Sequence, residues 1–105
     1  MVDEKLLTAI TERVVERFDP RRIVLFGSRA RGEARSESDV DLFIEMDSDH
    51  TPPRRAIEVS ALFRLRDWPL DVVVYTPEEV RRLRGVNGTL LSVIEAEGRL
   101  LYERR

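Results

Sequence analysis

The sequence predicts a small α/β protein, in the broad α+β sense: a mixed β-sheet with helices packed on it. Three observations carry that expectation. Short apolar runs, Ile23 to Phe26 and Leu70 to Tyr75, alternate with segments whose apolar residues recur at helical spacing. Turn chemistry separates them at Asp19-Pro20, Gly27-Ser28, Thr51-Pro52-Pro53 and Thr76-Pro77. The 105 residues can build one sizeable core but not two, so a single domain over residues 1–105 is expected.

The first helix is expected from an Asp3 cap to about Phe18, with Leu6, Leu7, Ile10, Val14 and Phe18 on its core face. Ile23 to Phe26 is too short for a helix and is bounded by Gly27, which marks a buried strand. Residues 27–38 form a loop rich in Gly, Ser and Arg, with one helical turn after Ser28. The next strand, from about Asp39 to Met46, alternates: Val40, Leu42, Ile44 and Met46 share one face, and Asp39, Asp41, Phe43 and Glu45 the other. The first face calls for helices packed on it, whereas the second starts acidic.

A second helix starts at Pro52 or Pro53, with Ile57, Ala61, Leu62 and Leu65 as its apolar positions, and ends before Trp68-Pro69. Leu70 to Tyr75, rich in β-branched residues, is the third strand. Thr76-Pro77-Glu78-Glu79 opens a third helix through a capping box, and Gly85 to Gly88 breaks it. A last helix, about Leu90 to Glu97, ends at Gly98 as a left-handed C-cap, and Leu100 to Tyr102 adds an edge strand.

Composition narrows the class. At 42% hydrophobic and 36% charged residues, the chain is that of a globular rather than a disordered protein. It has no cysteine, which excludes disulfides, thiolate zinc sites and cysteine nucleophiles. Its apolar runs fall far short of the roughly 20 residues that span a bilayer, and the acidic start Met1-Val2-Asp3-Glu4 lacks the basic opening of a signal peptide. A cytoplasmic location is therefore expected, with no membrane partner. A net charge of −2 argues against a general nucleic-acid binder, although Lys5 is the only lysine and every other basic residue is an arginine suited to phosphate or carboxylate.

The chemistry concentrates in residues 23–44, IVLFGSRARGEARSESDVDLFI. A glycine directly after a buried strand lets backbone N–H groups approach a phosphate, and the following turn points its positive end there. Ser28 can add a hydroxyl donor, and Arg29 or Arg31 can add charge. Asp39 and Asp41, two apart on a strand, project from one face within reach of one cation. Such like charges are costly without a counter-ion, and hard oxygen ligands favour Mg²⁺ or Mn²⁺. Asp71 heads an otherwise apolar strand and supplies a third carboxylate. For it to share a metal with Asp39 and Asp41, strands two and three must start at the same end and run parallel. Strand one, which delivers Gly27-Ser28 at its C-terminal end, must then run antiparallel to strand two.

Gly-Ser, a DxD ten residues on, and a later strand-borne Asp resemble the DNA polymerase β superfamily of nucleotidyltransferases. More narrowly, LFGSRARGEARSESDVDLFI and the tail EAEGRLLYERR are similar to the minimal nucleotidyltransferase (MNT) family. Gly27, Ser28, Arg31, Gly32, Ser38, Asp39, Asp41 and Asp71 all match its pattern. The resemblance implies the nucleotidyltransferase fold and a two-metal nucleotidyl transfer. Asp39, Asp41 and Asp71 would be the catalytic metal ligands for two Mg²⁺ ions, with Mn²⁺ as an alternative. Gly27, Ser28, Arg29 and Arg31 would hold the phosphates of ATP. It also implies an antitoxin that transfers AMP to a tyrosine of a helical HEPN ribonuclease toxin, in a hetero-oligomeric complex that completes the acceptor site. Two other functions fit the same residues: neutralisation of the partner by binding alone, and transfer to a small molecule or RNA.

Overall fold

The first helix begins at the expected cap. Asp3 accepts a hydrogen bond from the Leu6 amide at 2.9 Å, and α1 runs Glu4–Phe18 with Leu7, Ile10 and Val14 buried. Asp19 closes it in left-handed conformation (φ 48), donating its N–H to the Val15 carbonyl. This computed structural model describes residues 2–32 and 39–104. After α1 come β1 (Arg22–Phe26), β2 (Val40–Glu45), α2 (Pro52–Ser60), a 3₁₀ turn (Ala61–Phe63) and β3 (Leu70–Tyr75). The chain then forms α3 (Pro77–Leu83), α4 (Leu90–Glu97) and β4 (Arg99–Glu103). Thr76 makes both halves of the capping box with Glu79, as the sequence predicts. Among the described residues no helix is long and apolar enough to cross a membrane.

The four strands form one mixed sheet in the order β3-β2-β1-β4. β1 is antiparallel to β2 and to β4, and β2 is parallel to β3. The acidic strand starts required this topology. One face, carrying Ile23, Leu25, Leu42, Ile44 and Val74, packs under α1 and α2. The other face is covered too: Val24 and Phe43 pack against Val80 of α3 and against Leu91 and Ile94 of α4. That cover thins toward the starts of β2 and β3, where Asp41 is half-buried and Asp71 exposed.

Two expectations need correction. The helical periodicity gave Ile57, Ala61, Leu62 and Leu65 as the apolar positions of the second helix, and of these Leu62 packs against the core. Ile57, however, is 67% exposed and Leu65 fully exposed, while Val59 and Arg55 are buried. Residues two apart on a helix point about 200° away from each other, so once Val59 faces the sheet Ile57 must face outward. The helix also ends at Ser60, and the 3₁₀ turn shifts the phase of the residues after it. Gly98, expected as a left-handed cap, has φ −73. Its glycine is required for space, because a Cβ there would collide with the Val24 side chain and the Ile94 carbonyl.

Candidate active site

The site is built at one end of the sheet by strand register. Phe26 of β1 pairs with Asp41 of β2, and Asp41 pairs with Asp71 of β3. Neighbouring strands lie about 4.8 Å apart, so the parallel register sets the two carboxylates side by side on one face. The junction is pinned by the Val40 amide, which donates to the Pro69 carbonyl at 2.9 Å just before β3 begins. The sequence reading missed this positioning contact; the proline directly ahead of a strand was its only signal. Asp39 lies one residue before β2 and is exposed.

Gly27 leaves β1 at φ +75, a conformation that L side chains rarely adopt. A Cβ at this position would occupy the space of the Asp41 carboxylate oxygen Oδ2. The turn and the central carboxylate are thus in contact, and only glycine permits it. A helical turn follows: Arg31 donates its N–H to the Gly27 carbonyl and Gly32 to the Arg29 carbonyl, each at 3.3 Å. Ser28 and Arg29 are half-buried and Arg31 is exposed. Ser38 lies outside the described residues.

The electrostatics are those of a cluster of like charges. Burial pushes the Asp41 carboxyl above its ordinary pKa, and Asp71 and then Asp39 push it further. The guanidinium groups of Arg29 and Arg31 pull the other way without overcoming them. Among the described residues no three acidic or histidine side chains converge as a finished metal cage. The donor set nevertheless suits a hard divalent cation, which would stabilise the charged form that burial and the two neighbours disfavour.

Polar and aromatic residues outside this cluster have other work. Glu45 shares the face of Asp41 but is buried against Arg22, with Nε to Oε1 at 2.7 Å. His50 is exposed, with Nε2 3.5 Å from Glu58. Tyr75 packs edge-on against Phe43 at 5.6 Å between ring centres, and Trp68 against Phe63 at 5.9 Å.

The model of the nucleotidyltransferase domain family matches residues 7–104. The chain belongs to this family. As a nucleotidyltransferase domain it is similar to the protein adenylyltransferase MntA of Thermococcus cleftensis, 46% identical over 44 residues. That match covers 42% of this chain and 44% of the relative, so it spans less than half of either protein. A crystal structure of a candidate nucleotidyltransferase from Sulfolobus solfataricus superposes at a TM-score of 0.65. It is 25% identical, over 95% of this chain and 79% of that one. The fold also recurs in a mutant of the toxin–antitoxin MntA-HpeT, with TM-score 0.61 and 20% identity over 100% of this chain and 76% of that one. A toxin–antitoxin structure with AMP-PNP gives 0.60 and 18%, over 93% and 74%. Within this nucleotidyltransferase domain, the strand-borne carboxylates and the Gly27 turn form the group of residues that the fold brings together.

Proposed function

We propose that this chain is an antitoxin that transfers AMP from ATP to a tyrosine of a HEPN-type toxin. One observation carries the proposal: Asp41 and Asp71 stand side by side in parallel register while the Asp41 carboxylate rests against Gly27. This sets two carboxylates beside the Gly27 turn. The curated similarity to a protein adenylyltransferase supports the choice of AMP and of a protein acceptor.

Asp39, Asp41 and Asp71 would hold Mg²⁺, or Mn²⁺ in its place, which when bound supplies charge neutralisation at the triphosphate and acidifies the acceptor hydroxyl. Gly27 keeps the backbone accessible to the phosphates, and the Ser28 hydroxyl donates to a phosphate oxygen. Arg29 and Arg31 offset charge on the departing pyrophosphate. Asp71 lies on an edge strand and is exposed, so an acceptor can approach it from outside the sheet. The acceptor oxygen forms a bond to the α-phosphorus, the bond to the β-phosphate bridging oxygen breaks, and pyrophosphate leaves. The phenolic proton passes to Asp71 or to solvent.

The test is incubation with labelled ATP, Mg²⁺ and a helical HEPN-type toxin protein. Label on a tyrosine of that protein is expected, and none with any nucleotide would overturn the proposal. Neutralisation of the toxin unchanged by Asp39→Asn with Asp41→Asn would favour complex formation alone.

A further inference from the structure

We propose that the groove between α1 and the turn after α2 docks an acidic, amphipathic helix of the acceptor-bearing partner, an inference that rests on the transferase function above. The groove encloses about 490 Å³. Leu6, Ala9 and Ile10 of α1 form one side of its floor, and Leu62 and Leu65 the other. Leu65 is fully exposed, and nothing in the chain's own core uses it. Burying a leucine that is open to water gives a partner an apolar anchor.

The charges around this floor all have one sign. Arg13 rises from the α1 wall, Arg64 and Arg66 from the opposite wall, and among the described residues no carboxylate lines the groove. Among the described residues, too, none of these three arginines takes part in an ion pair. Arg22, Arg55, Arg84, Arg99 and Arg104 all do. An apolar trough flanked on both sides by uncompensated guanidinium groups complements a helix with an apolar stripe bordered by Asp and Glu.

The groove is less suited to RNA. The rings of Phe63 and Trp68 are tilted against each other at 5.9 Å, and Arg13 already sits 5.8 Å over the Phe63 ring. Both aromatic residues pack partly on the core, which limits the ring face left for a base to stack on. A chain of net charge −2 also lacks the general attraction for a polyanion.

Position links the groove to the chemistry. Trp68, at its edge, precedes Asp71 by three residues, about 10 Å of extended chain. The intervening Pro69 carbonyl is bonded to the Val40 amide, next to Asp39. The carboxylates face the opposite side of the sheet, so a helix seated in the groove leaves them open, and a neighbouring loop of the same partner can reach them around the edge strand β3 to present its hydroxyl.

Titration calorimetry with the same purified toxin protein tests the surface. Leu65→Glu with Arg66→Glu should weaken binding at least tenfold and leave the affinity for ATP with Mg²⁺ unchanged. Arg81→Glu with Arg82→Gln, an equal charge change on α3, should leave partner binding intact. Both groove positions are exposed, and an unchanged melting temperature would show that the variant is folded. Wild-type affinity of the groove variant would overturn the inference, as would equal losses in both variants. So would a groove variant that loses only self-association or binding of a single-stranded RNA oligonucleotide. Asp39→Asn with Asp41→Asn separates the two proposals: it should keep the partner affinity and lose transfer. If that variant transfers normally, the catalytic proposal fails while the docking result stands on the affinities.

Discussion

The two ends of the sheet use the same residue types in opposite ways. At one end Asp41 and Asp71 stand side by side with Asp39 just ahead of β2, and burial with repulsion from Asp71 and Asp39 raises the Asp41 pKa. At the other end Glu45, on the same strand face as Asp41, is bridged by Arg22 at 2.7 Å. Arg22 also reaches Glu95 at 2.8 Å and lies over the Phe43 ring at 5.2 Å, and Arg84 adds a bond to Glu95 at 3.1 Å. The difference comes from the helical layer. α4 brings a carboxylate down onto the Glu45 end and seals it, whereas the Asp41 end is left half-open, with Arg29 and Arg31 of the turn offsetting its charges only in part. Compensated charge marks the end that holds the fold together; concentrated charge marks the end suited to a cation and a phosphate.

The strongest way to break this comparison is to neutralise the acidic end. Asp39→Asn with Asp41→Asn should lower AMP transfer by on the order of 10³-fold or more, as loss of central catalytic groups does. The fold should persist, with the melting temperature unchanged or slightly raised in the absence of divalent metal. A collapse of the fold in circular dichroism would show that the cluster is structural.

The sealed end should respond in the opposite sense. Glu45→Ala leaves Arg22 buried with only Glu95, and removing one partner of a buried pair costs about 3 kcal/mol. In a domain of this size that lowers the melting temperature by roughly 12–24 °C. Transfer per folded molecule, measured well below the transition, should be unchanged. Loss of transfer without loss of stability would erase the distinction between the ends.

This asymmetry also explains what could be read in the sequence. Strand alternation placed Asp39 and Asp41 on one face, and the need to bring Asp71 to them correctly gave a parallel β2–β3 pair and an antiparallel β1. The partners of Glu45 were not legible, because nothing local announces Arg22 and Glu95. Arg55 was invisible for the same reason. It is buried between α2 and α3, donating to Glu79 at 2.7 Å and to the His50 carbonyl at 2.8 Å. A pattern built on apolar side chains therefore chose Ile57 and Leu65 over the true face. Long-range ion pairs turn polar positions into core, and only the fold reveals which ones.

Gly27 tests the contact between the turn and the carboxylates. Gly27→Ala forces an L residue into left-handed backbone, costing about 1–2 kcal/mol. It also drives a methyl group into the place of the Asp41 carboxylate. The affinity for ATP with Mg²⁺, measured by calorimetry, should fall along with the melting temperature. A variant that lost stability alone would uncouple the turn from the carboxylate.

The finest test uses pH, where the ends carry opposite signs. Hydrogen bonding to Arg22 foremost holds Glu95 below its ordinary pKa, so its contribution is present above the unfolded value and is lost as pH falls through the folded one. Asp41 is the reverse. Its folded pKa is raised, so the native state binds a proton more readily than the unfolded chain, and the penalty present at neutral pH is relieved on acidification. Asp41→Asn should therefore raise the melting temperature slightly at pH 7 without metal. That gain should shrink steadily as pH approaches the ordinary aspartate value of about 4. A gain that stayed constant or grew on acidification would place the strain somewhere other than in the charge of Asp41. Saturating Mg²⁺ with ATP should invert the comparison at pH 7, because only the wild type then gains stability from the bound cation.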